Sequence, residues 1–86
     1  RLPISKVKID QSFIRHVPLI NEDITIVKTI IAMSKSLGFK TVAEGVEQKE
    51  QLDFLLDEDC DEIQGYFYSK PLPRDEATDF IKRYQS

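Results

Sequence analysis

Thr41-Val42-Ala43-Glu44-Gly45-Val46-Glu47 leads β-branched residues into a carboxylate, follows it with a glycine, and sets a second carboxylate three positions on. The glycine is expected to break a strand, and the amphipathic run from Gln48 to Glu58 is expected to be the helix after it. In an α/β protein, a strand that ends on an acid and turns sharply into a helix presents that carboxylate at the mouth of the sheet. Two other short apolar runs end in polar residues, Val7-Lys8-Ile9-Asp10 and Ile63-Gln64-Gly65-Tyr66. Lys8 and Glu44 are 36 positions apart, and Glu44 and Gln64 are 20 apart. Those spacings bracket the ~30 residues per strand-helix unit expected when about 250 residues make eight units. Strands that deliver polar groups at the same end imply a shared site.

Outward from that stretch, the pattern alternates. Val7 to Asp10 reads as a short buried strand, with Lys8 and Asp10 on one face and Val7 and Ile9 on the other. Gln11 to Ile14 leaves it as a loop, with Phe13, Ile14 and Val17 as packing residues. His16, the sole histidine, has no second ligand or acid beside it in sequence and reads as a solvated or capping residue. Asn21 is the expected N-cap of a helix that begins at Glu22. Ile24, Val27 and Ile31 make its apolar stripe, and Ile26, Ile30, Met33 and Leu37 widen that stripe enough for a helix packed on a sheet. Lys35 suits the dipole at the helix end, and Gly38 suits the cap beyond it.

Phe39 to Glu44 is the second strand. The helix after it turns Leu52, Leu55 and Leu56 inward. Asp57, Glu58, Asp59 and Asp61 lack the spacing and central glycine of a calcium loop and read as a solvated helix end. Glu62 to Gln64 is a third strand ended by Gly65. An aromatic loop, Tyr66 to Tyr68, follows, then Pro71 and Pro73. A last helix, Arg74 to Tyr84, faces Ala77, Phe80, Ile81 and Tyr84 inward.

Strand and helix in alternation predict an α/β fold with parallel strands, in an open sheet or a barrel. Neither glycine-rich phosphate signature of the open nucleotide-binding sheets is present. Lys8, Asp10, Glu44 and Gln64 are too polar for a sheet covered by helices on both faces, and a barrel interior with its site at the strand C-termini fits better.

Composition bounds the rest. The 86 residues are 41% hydrophobic and 31% charged, ordinary for a globular chain, and a chain of that size buries only ~60–65% of its unfolded surface. A net charge of −3 gives no footprint for a nucleic-acid polymer or an anionic membrane. No apolar run approaches the ~20 residues of a membrane span. The lone Cys60 reads as a buried structural thiol, consistent with a reducing cytoplasm. Arg1-Leu2-Pro3 opens without cap or leader, so the chain is expected to be cut from something longer.

Four runs taken together resemble the C-terminal part of the EAL domain, the bacterial cyclic di-GMP phosphodiesterase. They are Leu2-Pro3 with Lys8-Ile9-Asp10-Gln11-Ser12-Phe13, Ala43-Glu44-Gly45-Val46-Glu47, Cys60-Asp61-Glu62-Ile63-Gln64-Gly65-Tyr66, and Ser69-Lys70-Pro71-Leu72. The resemblance implies that residues 1–86 are the last three strand-helix units, strand 6 to helix 8, of a modified (β/α)8 TIM-like barrel. It also implies hydrolysis of cyclic di-GMP to the linear dinucleotide with Mg2+ or Mn2+. On this basis Lys8, Glu44 and Gln64 are the expected catalytic residues, with Glu44 also a metal ligand. Lys8 would hold the attacking water, with Asp10 as its orienter. Asp10, Glu47 and Pro71 are the expected substrate-binding residues.

Two plainer readings stay open. Lys8 is also suited to a structural ion pair with Asp10 or Glu47, and Glu47 to a helix-start acid favoured by the dipole. The family's signature strand and its other metal acids lie upstream of Arg1, and Asp59 stands where the family usually has glycine. The chain alone is therefore expected to be inactive. It is also expected to pair with a second copy or with the rest of a barrel, since unpaired edges and an uncovered inner face favour association. The alternative is a degenerate EAL domain that binds cyclic di-GMP or a protein partner without hydrolysing anything.

Overall fold

A computed structural model describes residues 6–65, 72–77 and 79. The elements run β1 (Lys6–Ile9), α1 (Gln11–Ile14), α2 (Asn21–Ser36), β2 (Lys40–Val46), α3 (Lys49–Asp57), β3 (Glu62–Gly65) and β4 (Leu72–Pro73). One sheet has the order β1-β2-β3-β4. The first three strands are parallel, with α2 and α3 as the connections that parallel pairing requires. This is the α/β architecture expected from the sequence.

Register explains which side carries the core. Ile9 lies opposite Ala43, and Ala43 opposite Ile63. All three are buried in one cluster with Ile14, Val27, Ile31, Leu52, Leu55, Cys60 and Ala77. Removing a side chain like Ile63 from water contributes about 1.5–3 kcal/mol. The alternate row sets Lys8 opposite Val42 and Val42 opposite Glu62, and Lys6 Nζ meets Glu62 Oε1 there at 3.1 Å. β2 buries Thr41, Val42 and Ala43 in succession, as a central strand with both faces occupied must.

Both long helices stop in the same way. In α2 the Phe39 amide donates to the Ser34 carbonyl at 2.8 Å and the Gly38 amide to Lys35 at 3.0 Å. In α3 the Cys60 amide donates to Leu55 at 2.9 Å and the Asp59 amide to Leu56 at 3.1 Å. This paired closure needs a left-handed residue just past the helix. Gly38 supplies it at φ +80° and Asp59 at φ +65°.

Several expectations need correcting. Gln11–Ile14 is helical, because the Asp10 carboxylate caps it. Ile20, not Asn21, occupies the cap of α2, and no side chain bonds there. The buried stripe of α2 is Val27, Ile31 and Ser34, whereas Ile26, Met33 and Leu37 are exposed. The helical period carries positions 26, 33 and 37 round to the side away from the sheet. Gly45 lies inside β2 rather than ending it, whereas Gly65 is the last residue of β3.

The segment at Leu72–Pro73, expected only as the approach to a last helix, pairs antiparallel with β3. Proline is tolerated there because an edge strand does not need every donor. The acidic cluster is no mere solvated end. Asp61 Oδ2 accepts the Thr41 amide at 2.9 Å, Asp59 meets Arg74 at 3.2 Å, and Glu58 meets Lys28 at 3.6 Å. Cys60 is fully buried, as expected, and burial pushes its thiol pKa up. Residues 74–77 are helical. Phe80, Ile81, Tyr84, the aromatic loop Tyr66 to Tyr68 and Pro71 lie outside the described residues.

Candidate functional site

An open cleft of about 530 Å³ lies at the C-terminal ends of β1, β2 and β3, lined by Asp10, Gln11, Arg15, Glu44, Gly45, Glu47, Gln64 and Gly65. Each strand contributes where it stops or bends. β1 hands over to α1 at Asp10, whose Oδ2 accepts the Ser12 amide at 2.9 Å and the Ser12 hydroxyl at 2.5 Å. Those bonds, hydroxyl first, with Arg15 adding its charge, hold the Asp10 carboxyl below the usual carboxylate range.

β2 shapes the centre through a bulge. Ala43 pairs with Ile63 but Val46 pairs with Gly65, so β2 takes three steps where β3 takes two. The extra residue falls at Glu44-Gly45. A bulge bends its strand and re-aims a side chain, and Glu44 is the half-buried carboxylate at that bend. Gly45 has φ +73°, and a Cβ added to it would lie 2.6 Å from Gln11 Cβ. The first turn of α1 therefore seats directly on the bulge.

Beyond the bulge, one buried side chain fixes the rim. Gln51 Oε1 accepts the Glu47 amide at 2.8 Å and the Gln48 amide at 3.0 Å. Its Nε2 donates to the carbonyls of Ile14 at 3.2 Å and Arg15 at 3.3 Å. A buried carboxamide is tolerated when its donors and acceptor are all used, and Gln51 is 4% exposed.

Of the residues expected from the sequence, Asp10, Glu44, Glu47 and Gln64 come together in this cleft. Lys8 does not line it. Lys8 is exposed, sits opposite Val42 one pleat below Glu44, and makes no ion pair among the described residues. The structural pairing of Lys8 with Asp10 or Glu47 is thus not made. Nor does Asp10 orient Lys8, because its carboxylate turns forward to cap α1. His16, read as having no acid nearby, has Asp23 Oδ2 at 3.1 Å from its Nδ1.

Gln11, Arg15 and Gln51 were not anticipated as parts of the site. Gln51 had a local signal, the capping-box spacing of Gln48 and Gln51 ahead of an apolar run, but its reach to α1 had none. Among the described residues no group of three or more His, Cys, Asp or Glu is placed to hold a metal ion. No described helix is long and apolar enough to cross a membrane.

The chain's relatives fit this geometry. The EAL domain family model matches residues 1–71. The cyclic di-GMP phosphodiesterase NbdA of Pseudomonas aeruginosa is 44% identical over 85 residues, which is 99% of this chain and 11% of that protein. The crystal structure of the EAL domain of Mycobacterium smegmatis DcpA superposes with a TM-score of 0.72 at 34% identity, covering 95% of this chain and 37% of that one. The PaMucR phosphodiesterase in complex with c-di-GMP superposes with a TM-score of 0.73 at 38% identity, covering 88% and 31%. The chain thus spans about a tenth of the curated relative and about a third of the solved domains.

Proposed function

The chain belongs to the EAL domain family, and from that premise we propose that it forms part of a metal-dependent cyclic di-GMP phosphodiesterase of the bacterial cytoplasm that yields linear pGpG. The observation that carries this reading is the cleft itself: Glu44 in β2, Glu47 just past the end of β2, and Gln64 in β3 line one open volume. That volume falls within the ~300–1,000 Å³ range of small-molecule sites.

In the proposed site Gln64 hydrogen-bonds the substrate or an attacking water, and Glu47 borders the substrate at the rim. Lys8, whose ammonium is unpaired among the described residues, offsets phosphate charge from below. Asp10 keeps one carboxylate oxygen for ligand while the other holds α1, and Pro71 is assigned to the substrate on the family resemblance alone. Bound Mg2+ or Mn2+ would supply charge neutralisation and a more acidic water. The described residues do not make such a site of their own. Glu44, a hard oxygen donor, is proposed as one ligand of a set completed elsewhere in a full (β/α)8 barrel. The 86-residue chain alone is accordingly inactive. It covers its polar inner face with the rest of that barrel or with a second copy.

The test is hydrolysis of cyclic di-GMP in Mg2+ by the complete domain, extended upstream by ~165 residues to close the barrel, beside its Glu44→Ala variant. Turnover to pGpG that Glu44→Ala abolishes is the expected result. Binding without turnover, weakened by Lys8→Ala, would replace the enzyme reading with a non-hydrolysing receptor. Neither turnover nor binding would overturn both.

A further inference from the structure

We propose that Gln51, which contributes nothing to the cleft lining, is a positioning residue that sets the active geometry of Glu47. The role rests on the phosphodiesterase reading. Its basis is the way one carboxamide is divided. Oε1 takes the amides of Glu47 and Gln48 at 2.8 and 3.0 Å, and Nε2 takes the carbonyls of Ile14 and Arg15 at 3.2 and 3.3 Å. The Glu47 backbone is thereby tied to the end of α1, whose carbonyls lie 37 and 36 positions from Gln51 in sequence.

A capping box alone needs only the short-range half, in which the side chain three residues into the helix returns to the cap amide. The long-range half does something different. α1 carries Gln11 and leads into Arg15, both lining the same cleft as Glu47, and α1 also seats on Gly45 beside Glu44. Gln51 therefore fixes the distance between two walls of the site. Its 4% exposure keeps water from substituting for either half. In a site where a displacement of about 1 Å costs on the order of 100-fold in rate, this fixing is felt in turnover.

The experiment is a double-mutant cycle in the complete domain with Gln51→Leu, Gln51→Glu, Glu47→Gln and the combinations, read as kcat and KM for cyclic di-GMP hydrolysis below each variant's unfolding temperature. Gln51→Leu is expected to lower kcat by about 10- to 100-fold while KM moves much less. Gln51→Glu keeps the acceptor half but sets a second acceptor oxygen against the carbonyls of Ile14 and Arg15, so it should not restore the loss. On the Glu47→Gln background, Gln51→Leu should cost little more, because residues acting through one another are not additive. If Gln51→Leu does not fold, Gln51→Glu carries the cycle.

Wild-type kcat in Gln51→Leu, or a loss that multiplies in full with that of Glu47→Gln, would overturn the role while leaving the phosphodiesterase reading intact. A wild-type domain that binds cyclic di-GMP without turnover puts the same cycle to the test in Kd. A wild-type domain that neither hydrolyses nor binds it fails the phosphodiesterase reading, and the positioning role with it.

Discussion

Gly45 and Gln11 are in backbone-to-side-chain contact across the floor of the cleft, so closely that a Cβ on Gly45 would sit 2.6 Å from Gln11 Cβ and 3.1 Å from its Oε1. The nearer atom is at the root of Gln11, where no rotamer change can clear it. A bulge at the end of one strand and the first turn of a helix from another are locked together at that point.

Gly45→Ala should therefore combine two costs, a left-handed φ of +73° worth about 1–2 kcal/mol and an overpacking cost of about 1–3 kcal/mol. Gly38→Ala is the matched control, because Gly38 has φ +80° with nothing within 4 Å of the added Cβ. It should lose only the first cost. Urea unfolding of both variants measures the difference, and equal losses would show that α1 yields at Gln11.

Asp59→Gly should stabilise the chain. The left-handed φ of +65° is easier for glycine than for aspartate. The ion pair that is lost, Arg74 Nη1 to Asp59 Oδ1 at 3.2 Å, is exposed on both sides and worth little. Arg74 keeps its bond to the Leu56 carbonyl at 2.9 Å. A net gain of about 0.5–1 kcal/mol would raise Tm by roughly 2–8 °C for a domain of this size. A fall in Tm would mean that the Arg74 link outweighs the backbone.

Asp10 gives the chain an acid-sensitive helix start. Its folded pKa lies below the unfolded value. Its stabilising effect is therefore complete above the ordinary carboxylate pKa of about 3.9 and is lost as pH falls through the lower folded value. Asp10→Asn can still cap α1 but cannot titrate. Between pH ~5 and the acid limit its stability should fall less steeply than that of the wild type, as thermal melts at stepped pH would show. Parallel curves would remove Asp10 from the acid response.

Thr41→Val tests the buried link between β2 and the end of α3. Thr41 is fully buried. The Asp61 amide donates to its Oγ1 at 3.4 Å, while that hydroxyl lies 3.6 Å from Cys60 Sγ. Valine keeps the shape and leaves the Asp61 amide without that acceptor, at a cost of about 1–3 kcal/mol. The Thr41 amide would still donate to Asp61 Oδ2, so the fold should persist. Denaturant midpoints at unchanged m-value would check it.

The sequence by itself determined the order of strands and helices, the polar ends of β1, β2 and β3, and the placement of Glu44 and Gln64 at one mouth. Each follows from short-range periodicity and from the rule that strands joined by helices run parallel. Tertiary structure alone decided the rest. The bulge at Glu44-Gly45 is a register mismatch between β2 and β3, and neither strand's own pattern contains it. The exposure of Ile26, Met33 and Leu37 depends on which side of α2 the sheet lies. Asp61 looked like a solvated acid because its partner, Thr41, is 20 positions away. Gln51 looked like a helix-start residue because the carbonyls it holds are 36 and 37 positions away. Hydrogen bonds of that reach form only once the sheet has brought their elements together, and no local window of the chain encodes them.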